Sequence, residues 1–158
     1  MAARSSKSKK PSDASSPPKQ PSDPVFFLDR CLGRFVVAGA LRTAGLAVRV
    51  HHDHFDQDVD DREWLIHAGK NEWVVLTKDR QIKSNQIEIA ALISASTACF
   101  NLVSANMTGS EMAKAFLAAM HDMKRMLVKI DRPFVANVTR AGGVNLLYRY
   151  ADLAKKLD

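Results

Sequence analysis

The sequence predicts an α/β fold, a three-layer α/β/α sandwich built on a mostly parallel central sheet. Two observations lead there. From Val25 onward, short apolar runs alternate with stretches of helical spacing, which is the pattern of βαβ units and a parallel sheet. The run Trp73-Val74-Val75-Leu76 is apolar at every position rather than at alternate ones, as a strand covered on both faces is. The crossovers of such a sheet place helices on both faces.

Each element has its own signal. Val25–Leu28 reads as the first strand, and a helix follows over 34–44, stopped at Gly45. A short second strand covers Ala47–Val50, then a polar, histidine-rich loop runs through 51–60. The second helix spans 61–68 and ends at Gly69. Asp60 is its N-cap and Glu63 the reciprocal partner of a capping box. The third strand is 73–77. The third helix is 86–96, with Ile89, Leu92 and Ile93 at the spacing of a buried face. The fourth strand is Ala98–Leu102. Thr108 and Glu111 form a second capping box for a long helix reaching Lys129. A fifth strand, 133–138, turns at Gly142-Gly143 into Val144–Tyr148 as a hairpin.

Length and composition bound the class. A chain of 158 residues has room for one domain plus a tail. Residues 1–24 are mostly Ser, Pro, Lys and Ala and are expected to be a disordered basic tail, more a solubilising arm than a nucleic-acid contact. Residues 25–148 are the expected domain and 149–158 a C-terminal tail. No apolar run approaches the roughly 18 residues of a membrane span. No apolar segment follows the basic start as in a secretory signal, so a cytoplasmic protein is expected. Cys31 and Cys99 read as reduced, partly buried thiols. The net charge is +6, shared between tail and body, and a mildly basic body suits a polyanionic partner.

Three aspartates carry the chemical signal. Asp29 directly follows the first strand, Asp61 opens the second helix, and Asp79 follows the third strand. In an open parallel sheet, groups at the carboxyl ends of strands converge on one crevice. Carboxylates crowded there repel one another unless a cation sits between them. Hard oxygen ligands suit Mg²⁺ or Mn²⁺, and two such ions roughly 4 Å apart serve phosphoryl transfer. Singly, Asp61 also suits a helix N-terminus and Asp79 a turn. Asp29 is the hardest to explain structurally. Other Asp-after-strand chemistries fit less well. A dehalogenase-type phosphatase wants a second Asp where Cys31 stands, and no late-strand Lys of receiver type follows Val138. Neither Gly-x-Gly-x-x-Gly nor a P-loop is present.

The segments Phe26-Phe27-Leu28-Asp29-Arg30-Cys31-Leu32-Gly33, Asp61-Arg62-Glu63-Trp64-Leu65 and Trp73-Val74-Val75-Leu76-Thr77-Lys78-Asp79-Arg80 together resemble PIN-like domains. The likeness looks closest to the VapC-type branch of small bacterial toxins and covers about 25–148. It implies a Mg²⁺- or Mn²⁺-dependent endoribonuclease in which acidic residues hold the metal and an activated water attacks an RNA phosphodiester. Carried over, Asp29, Asp61 and Asp79 are the metal-binding and catalytic acids. Glu88 is the nearest candidate for a fourth acid, unless it lies on the exposed face of its helix. Arg30, Lys78, Arg80 and Lys83 flank the acids and could hold RNA phosphates, or merely balance local charge. Thr77 could hydrogen-bond a ligand carboxylate.

The tract His51-His52-Asp53-His54 could bind zinc, but no second cluster at ligand spacing appears. A loop beside the crevice is the preferred reading, with Asp53 a further candidate for metal or water contact. His67 and His121 read as surface residues. Met112, Phe116, Met120, Met123 and Leu127 form a stripe on the long helix. It is most simply core, and any exposed part could pack against a second copy or an antitoxin. Two functions therefore stand: a metal-dependent endoribonuclease, and a nucleic-acid-binding or protein-interaction module of the same fold without catalysis.

Overall fold

The computed structural model describes residues 23–104 and 106–158. The tail expected over 1–24 thus lies, apart from Asp23 and Pro24, outside the described residues. The chain runs β1 (Val25–Leu28), a 3-10 turn (Arg30–Leu32), α1 (Val36–Thr43), β2 (Ala47–Val50), α2 (His51–His54), α3 (Asp61–Lys70), β3 (Val74–Thr77), a second 3-10 turn (Arg80–Lys83), α4 (Gln86–Ser94), β4 (Ala98–Leu102), α5 (Gly109–Lys129), β5 (Phe134–Val138), β6 (Val144–Tyr148) and α6 (Tyr150–Lys155).

One six-stranded sheet has the order β2-β1-β3-β4-β5-β6. Its first five strands are parallel, and β6 pairs antiparallel with β5. The chain steps from β1 outward to β2 and then back past β1 to β3. The direction of winding therefore reverses between β1 and β3, and a crevice opens at their carboxyl ends.

The two-residue period of a strand sorts the core into two layers. Phe26, Leu28, Val74, Leu76 and Phe100 pack with α1 and α5 on one face. Phe27, Val75, Cys99 and Val135 pack with α3, α4 and α6 on the other. Phe27 stacks between Trp64 and Trp73, each 5.5 Å away by ring centroids. Four of the five stripe residues of α5, Met112, Phe116, Met120 and Met123, are buried and Leu127 is packed against them, so the stripe is core. Among the described residues no helix is long and apolar enough to cross a membrane.

Several boundaries depart from expectation. The 51–60 segment is not all loop, because α2 occupies its first four residues. Gly69 does not end α3. It lies inside the helix, where a Cβ would strike Ala95 and the Thr97 hydroxyl, so it is small because α3 and α4 pack closely at that point. The chain reverses instead after Asn71, with Glu72 at φ 59°. Asp60 does cap α3 through the Arg62 N–H, but the cap carries no reciprocal Glu63 bond. The Thr108–Glu111 box is complete, at 2.8 and 3.1 Å. Residues 149–158, expected as a tail, contain α6 with a buried Leu153. Both cysteines are free.

Candidate metal centre

The strand period that sorts the core also sorts the polar residues at the carboxyl rim. Thr77 follows Val75 and Asn101 follows Cys99, so both face the α3–α4 layer. The residue after β1, Asp29, keeps an extended backbone at φ −61° and ψ 153°, and its N–H donates to the Leu76 carbonyl at 3.0 Å. Helices α3 and α4 begin at this same rim, with Asp61 first in α3 and Glu88 in the first turn of α4.

Asp29, Asp61 and Asp79 therefore meet on one side of the sheet, as the sequence led us to expect. Their grouping differs in one respect. One oxygen each from Asp61, Asp79 and Glu88 lies within 4.8 Å of the others. Asp29 is not part of this trio and is 2% exposed. Glu88, which could have faced solvent, is buried. Asn85 caps α4 through the Ile87 and Glu88 N–H groups and so sets the helix phase that turns Glu88 inward.

Each acid is held by a distinct contact. The Thr77 hydroxyl donates to Asp29 Oδ2 at 2.8 Å, and the Cys31 thiol reaches the same oxygen at 3.4 Å. Trp64 Nε1 donates to Asp61 Oδ1 at 2.8 Å, which ties this acid to the aromatic core. Arg30 donates to the same oxygen at 3.2 Å and to the carbonyls of Gln57 and Val59. Asp79 Oδ1 accepts from the Gln81 N–H, its own N–H donates to Thr77 Oγ1, and its carbonyl accepts from Asn101 Nδ2 at 2.8 Å. Asp79 is thus a turn residue as well as one of the clustered acids. Its cap role fixes the direction of its carboxylate.

The electrostatics are those of a site short of positive charge. Burial pushes the Asp29 carboxyl above the usual range, the Thr77 and Cys31 bonds oppose it, and Asp61 adds repulsion. Burial together with Asp61, Asp79 and Asp29 pushes Glu88 up to about 7. A hydrogen bond with Asp61 adds to this, since one of the two must carry the proton. Asp29 Oδ1 and Glu88 Oε1 are buried without a hydrogen-bond partner. A buried acceptor left unpaired costs about 1–3 kcal/mol. Hard, crowded, partly orphaned carboxylate oxygens fit a divalent cation that prefers oxygen ligands.

The remaining candidates separate. Lys78, Arg80 and Lys83 line a cavity of about 600 Å³ between the β3 and β4 ends, beside Asp79. Arg30 is engaged by Asp61 and the carbonyls of Gln57 and Val59. Asp53 is exposed on α2 and lines another depression with His52, His54 and His67, so it does not join the acids. Among the described residues no three-ligand group includes a histidine. His51 is buried among Phe27, Phe55 and Trp64 with both ring nitrogens unpartnered, and burial pushes its pKa down, with Arg30 adding to the shift. His67 and His121 are exposed.

Sequence reasoning missed three supports: Cys31 on Asp29, Trp64 on Asp61 and Asn101 on Asp79. Two had signals. Trp64 stands three residues after Asp61, on one face of a helix. Asn101 is the one polar residue of an otherwise apolar strand, Ala98-Cys99-Phe100-Asn101-Leu102.

Comparison with known proteins identifies the family. A family model described as "PIN like domain" matches residues 24–104. A curated protein of Mycobacterium tuberculosis (strain ATCC 25618 / H37Rv), described as "Putative ribonuclease VapC45", is 25% identical over 117 residues, covering 72% of this chain and 84% of that one. No solved structure matches.

Proposed function

This chain belongs to the PIN-like domain family, and from that premise we propose that it is an endoribonuclease dependent on Mg²⁺ or Mn²⁺. The observation that carries the reading is the trio Asp61, Asp79 and Glu88 within 4.8 Å, backed by buried Asp29 with an unpartnered Oδ1. The name of the mycobacterial relative supports RNA as the substrate.

Asp61, Asp79 and Glu88, with Asp29 beside them, would hold the ion, which would supply positive charge to acidify an attacking water and offset charge on the leaving oxygen. Asp61 is aimed by Trp64 and Arg30, Asp79 by its turn, and Glu88 by the cap of α4. Thr77 orients Asp29 by donating to one of its oxygens, which leaves the other for the site. Lys78, Arg80 and Lys83 steady the phosphates of the strand. An antitoxin-type protein is the partner in the same reading. Phe35 and Val36, 73% and 56% exposed at the start of α1, are among the apolar side chains open to it or to a second copy.

The test is incubation with mixed structured RNAs, with and without Mn²⁺, comparing wild type with Asp29→Asn and Asp79→Asn. Cleavage that needs the metal and is lost in both variants is expected. Cleavage that survives both substitutions and EDTA would overturn the mechanism. Tight RNA binding without cleavage would favour a module that binds and does not cut.

A further inference from the structure

The connection from β1 to α1 exposes a segment, 33–36, that helix stability does not explain. Phe35 is the N-cap of α1 and makes no side-chain cap bond. That position favours Ser, Thr, Asp or Asn, whose side chains accept a free N–H of the first turn. Phe35 instead leaves its ring 73% exposed, beside Val36 at 56%. The chain thus forgoes a cap and holds apolar surface in water at the same residue. Positions that break local rules with no structural gain concentrate at functional sites.

The segment is braced where it stands. A Cβ at Gly109, the first residue of α5, would meet Val36 Cβ at 2.9 Å and Cγ1 at 3.0 Å, so Val36 rests directly on the α5 backbone. Arg34 sits over the Phe35 ring at 5.1 Å from its centroid and has no acidic partner among the described residues. Both α1 and α5 start where parallel strands end, so Phe35 stands at the same rim of the sheet as the acids. The connection from β4 to α5 links the two regions. Its Ser104 and Asn106 line the cavity of Lys78, Arg80 and Lys83, and it leads into Gly109 under Val36.

An exposed ring with a guanidinium over it, on a rim that carries further cations, is the combination that binds single-stranded nucleic acid. Bases stack on the ring and phosphates pair with the cations. A protein partner fits less well. A stable interface buries roughly 800 Å² per partner, and 33–36 offers two apolar side chains. One base covers one ring.

We propose that Phe35 is a stacking platform for one unpaired base of the RNA strand, with Arg34 against the adjoining phosphate. The inference rests on the nuclease reading, which supplies the strand. The base lies on the α1–α5 side of the rim and the acids on the α3–α4 side, so the strand crosses the rim between them. A base inside a duplex has no face to give, and the RNA must be single-stranded at this point.

The test is fluorescence anisotropy of the full chain in EDTA with two labelled strands of equal length, a single-stranded oligoadenylate and an abasic ribose-phosphate strand. Wild type should bind the oligoadenylate roughly 5–150-fold tighter, the range of one base–aromatic stack. Phe35→Ser should lose most of that preference, keep its affinity for the abasic strand, and melt no lower than wild type, since serine caps the helix. Phe35→Trp should keep the preference, and its fluorescence should be quenched by the oligoadenylate, because the native Trp64 and Trp73 are buried. An undiminished preference in Phe35→Ser would overturn the proposal, as would equal affinities, or no binding of either strand, in wild type. Sedimentation that finds wild type dimeric and Phe35→Ser monomeric would give the ring to a second copy and overturn it too. The two readings fail separately. A base preference that depends on Phe35, in a protein that leaves RNA intact with Mn²⁺, would keep the platform and remove the nuclease. Metal-dependent cleavage with kcat and KM unchanged in Phe35→Ser would do the reverse.

Discussion

Thr77 and Asp29, 48 residues apart in the chain, are joined by a 2.8 Å buried hydrogen bond from the threonine hydroxyl to Oδ2. The same hydroxyl accepts the Asp79 N–H at 3.0 Å. One side chain thus registers the end of β1 against the end of β3, and two of the proposed acids inherit their separation from it. Thr77→Val keeps the shape and removes the hydroxyl. Unfolding stability should fall by about 1–3 kcal/mol, the cost of leaving a buried polar group unpaired. Denaturant titration measures it, and an unchanged midpoint would show that the bond does not hold the site.

Asp29→Asn and Asp79→Asn should raise the metal-free melting temperature, because each removes a like charge from a crowded site. A gain of 1 kcal/mol would appear as roughly 2–4 °C in a chain of this size. Scanning calorimetry in EDTA reads the change. A lower melting temperature in both variants would mean that repulsion among these acids is not what destabilises the metal-free fold.

Glu88 links stability to pH with a definite sign. Its carboxyl titrates near 4.5 when unfolded and near 7 in the fold, so between those values the folded state holds the extra proton. Metal-free stability should therefore fall as pH rises from about 4.5 to about 7 and level off above. Glu88→Gln should flatten that slope. Mn²⁺ competes with the proton, so its affinity should climb over the same interval with proton release. Titration calorimetry in two buffers of different ionisation enthalpy checks this, and pH-independent affinity would exclude Glu88 from the ion.

Arg30 braces Asp61 and the 57–59 backbone. Arg30→Ala should lower kcat roughly 10–100-fold, as loss of a ligand-orienting contact does, with KM for RNA little changed. Steady-state kinetics on one RNA separates the two parameters. A rise in KM alone would return Arg30 to the phosphates.

Gly69→Ala should destabilise the fold by about 1–3 kcal/mol, the usual range for overpacking, because the new methyl meets Ala95 and Thr97. The folded fraction should keep its activity per molecule. A neutral midpoint would show that α3 and α4 can separate there freely.

Much of this architecture is readable in the chain because it is local. Val25–Leu28, Ala47–Val50, Ala98–Leu102 and Val144–Tyr148 are strands by their own composition, and Thr108 and Glu111 announce α5 within four residues. Gly69 was misread because a glycine near a helix end looks like a stop, whereas its reason is a neighbour 26 residues away. The 51–60 stretch was misread because α2 is a single turn packed by Phe27 and Trp64, and such contacts leave no periodicity in four residues.

The linear chain was enough to establish the strand–helix alternation and to nominate Asp29, Asp61 and Asp79, since periodicity and strand ends are properties of neighbouring residues. Only the folded molecule could say that Glu88 is buried beside Asp61 and Asp79, that Asp29 is buried outside that trio, and that Arg30 braces Asp61 while Lys78 and Lys83 line a cavity with Asn101. Those facts depend on helix phase and on which strand ends lie side by side. They are set by packing between segments far apart in sequence, so no local pattern encodes them.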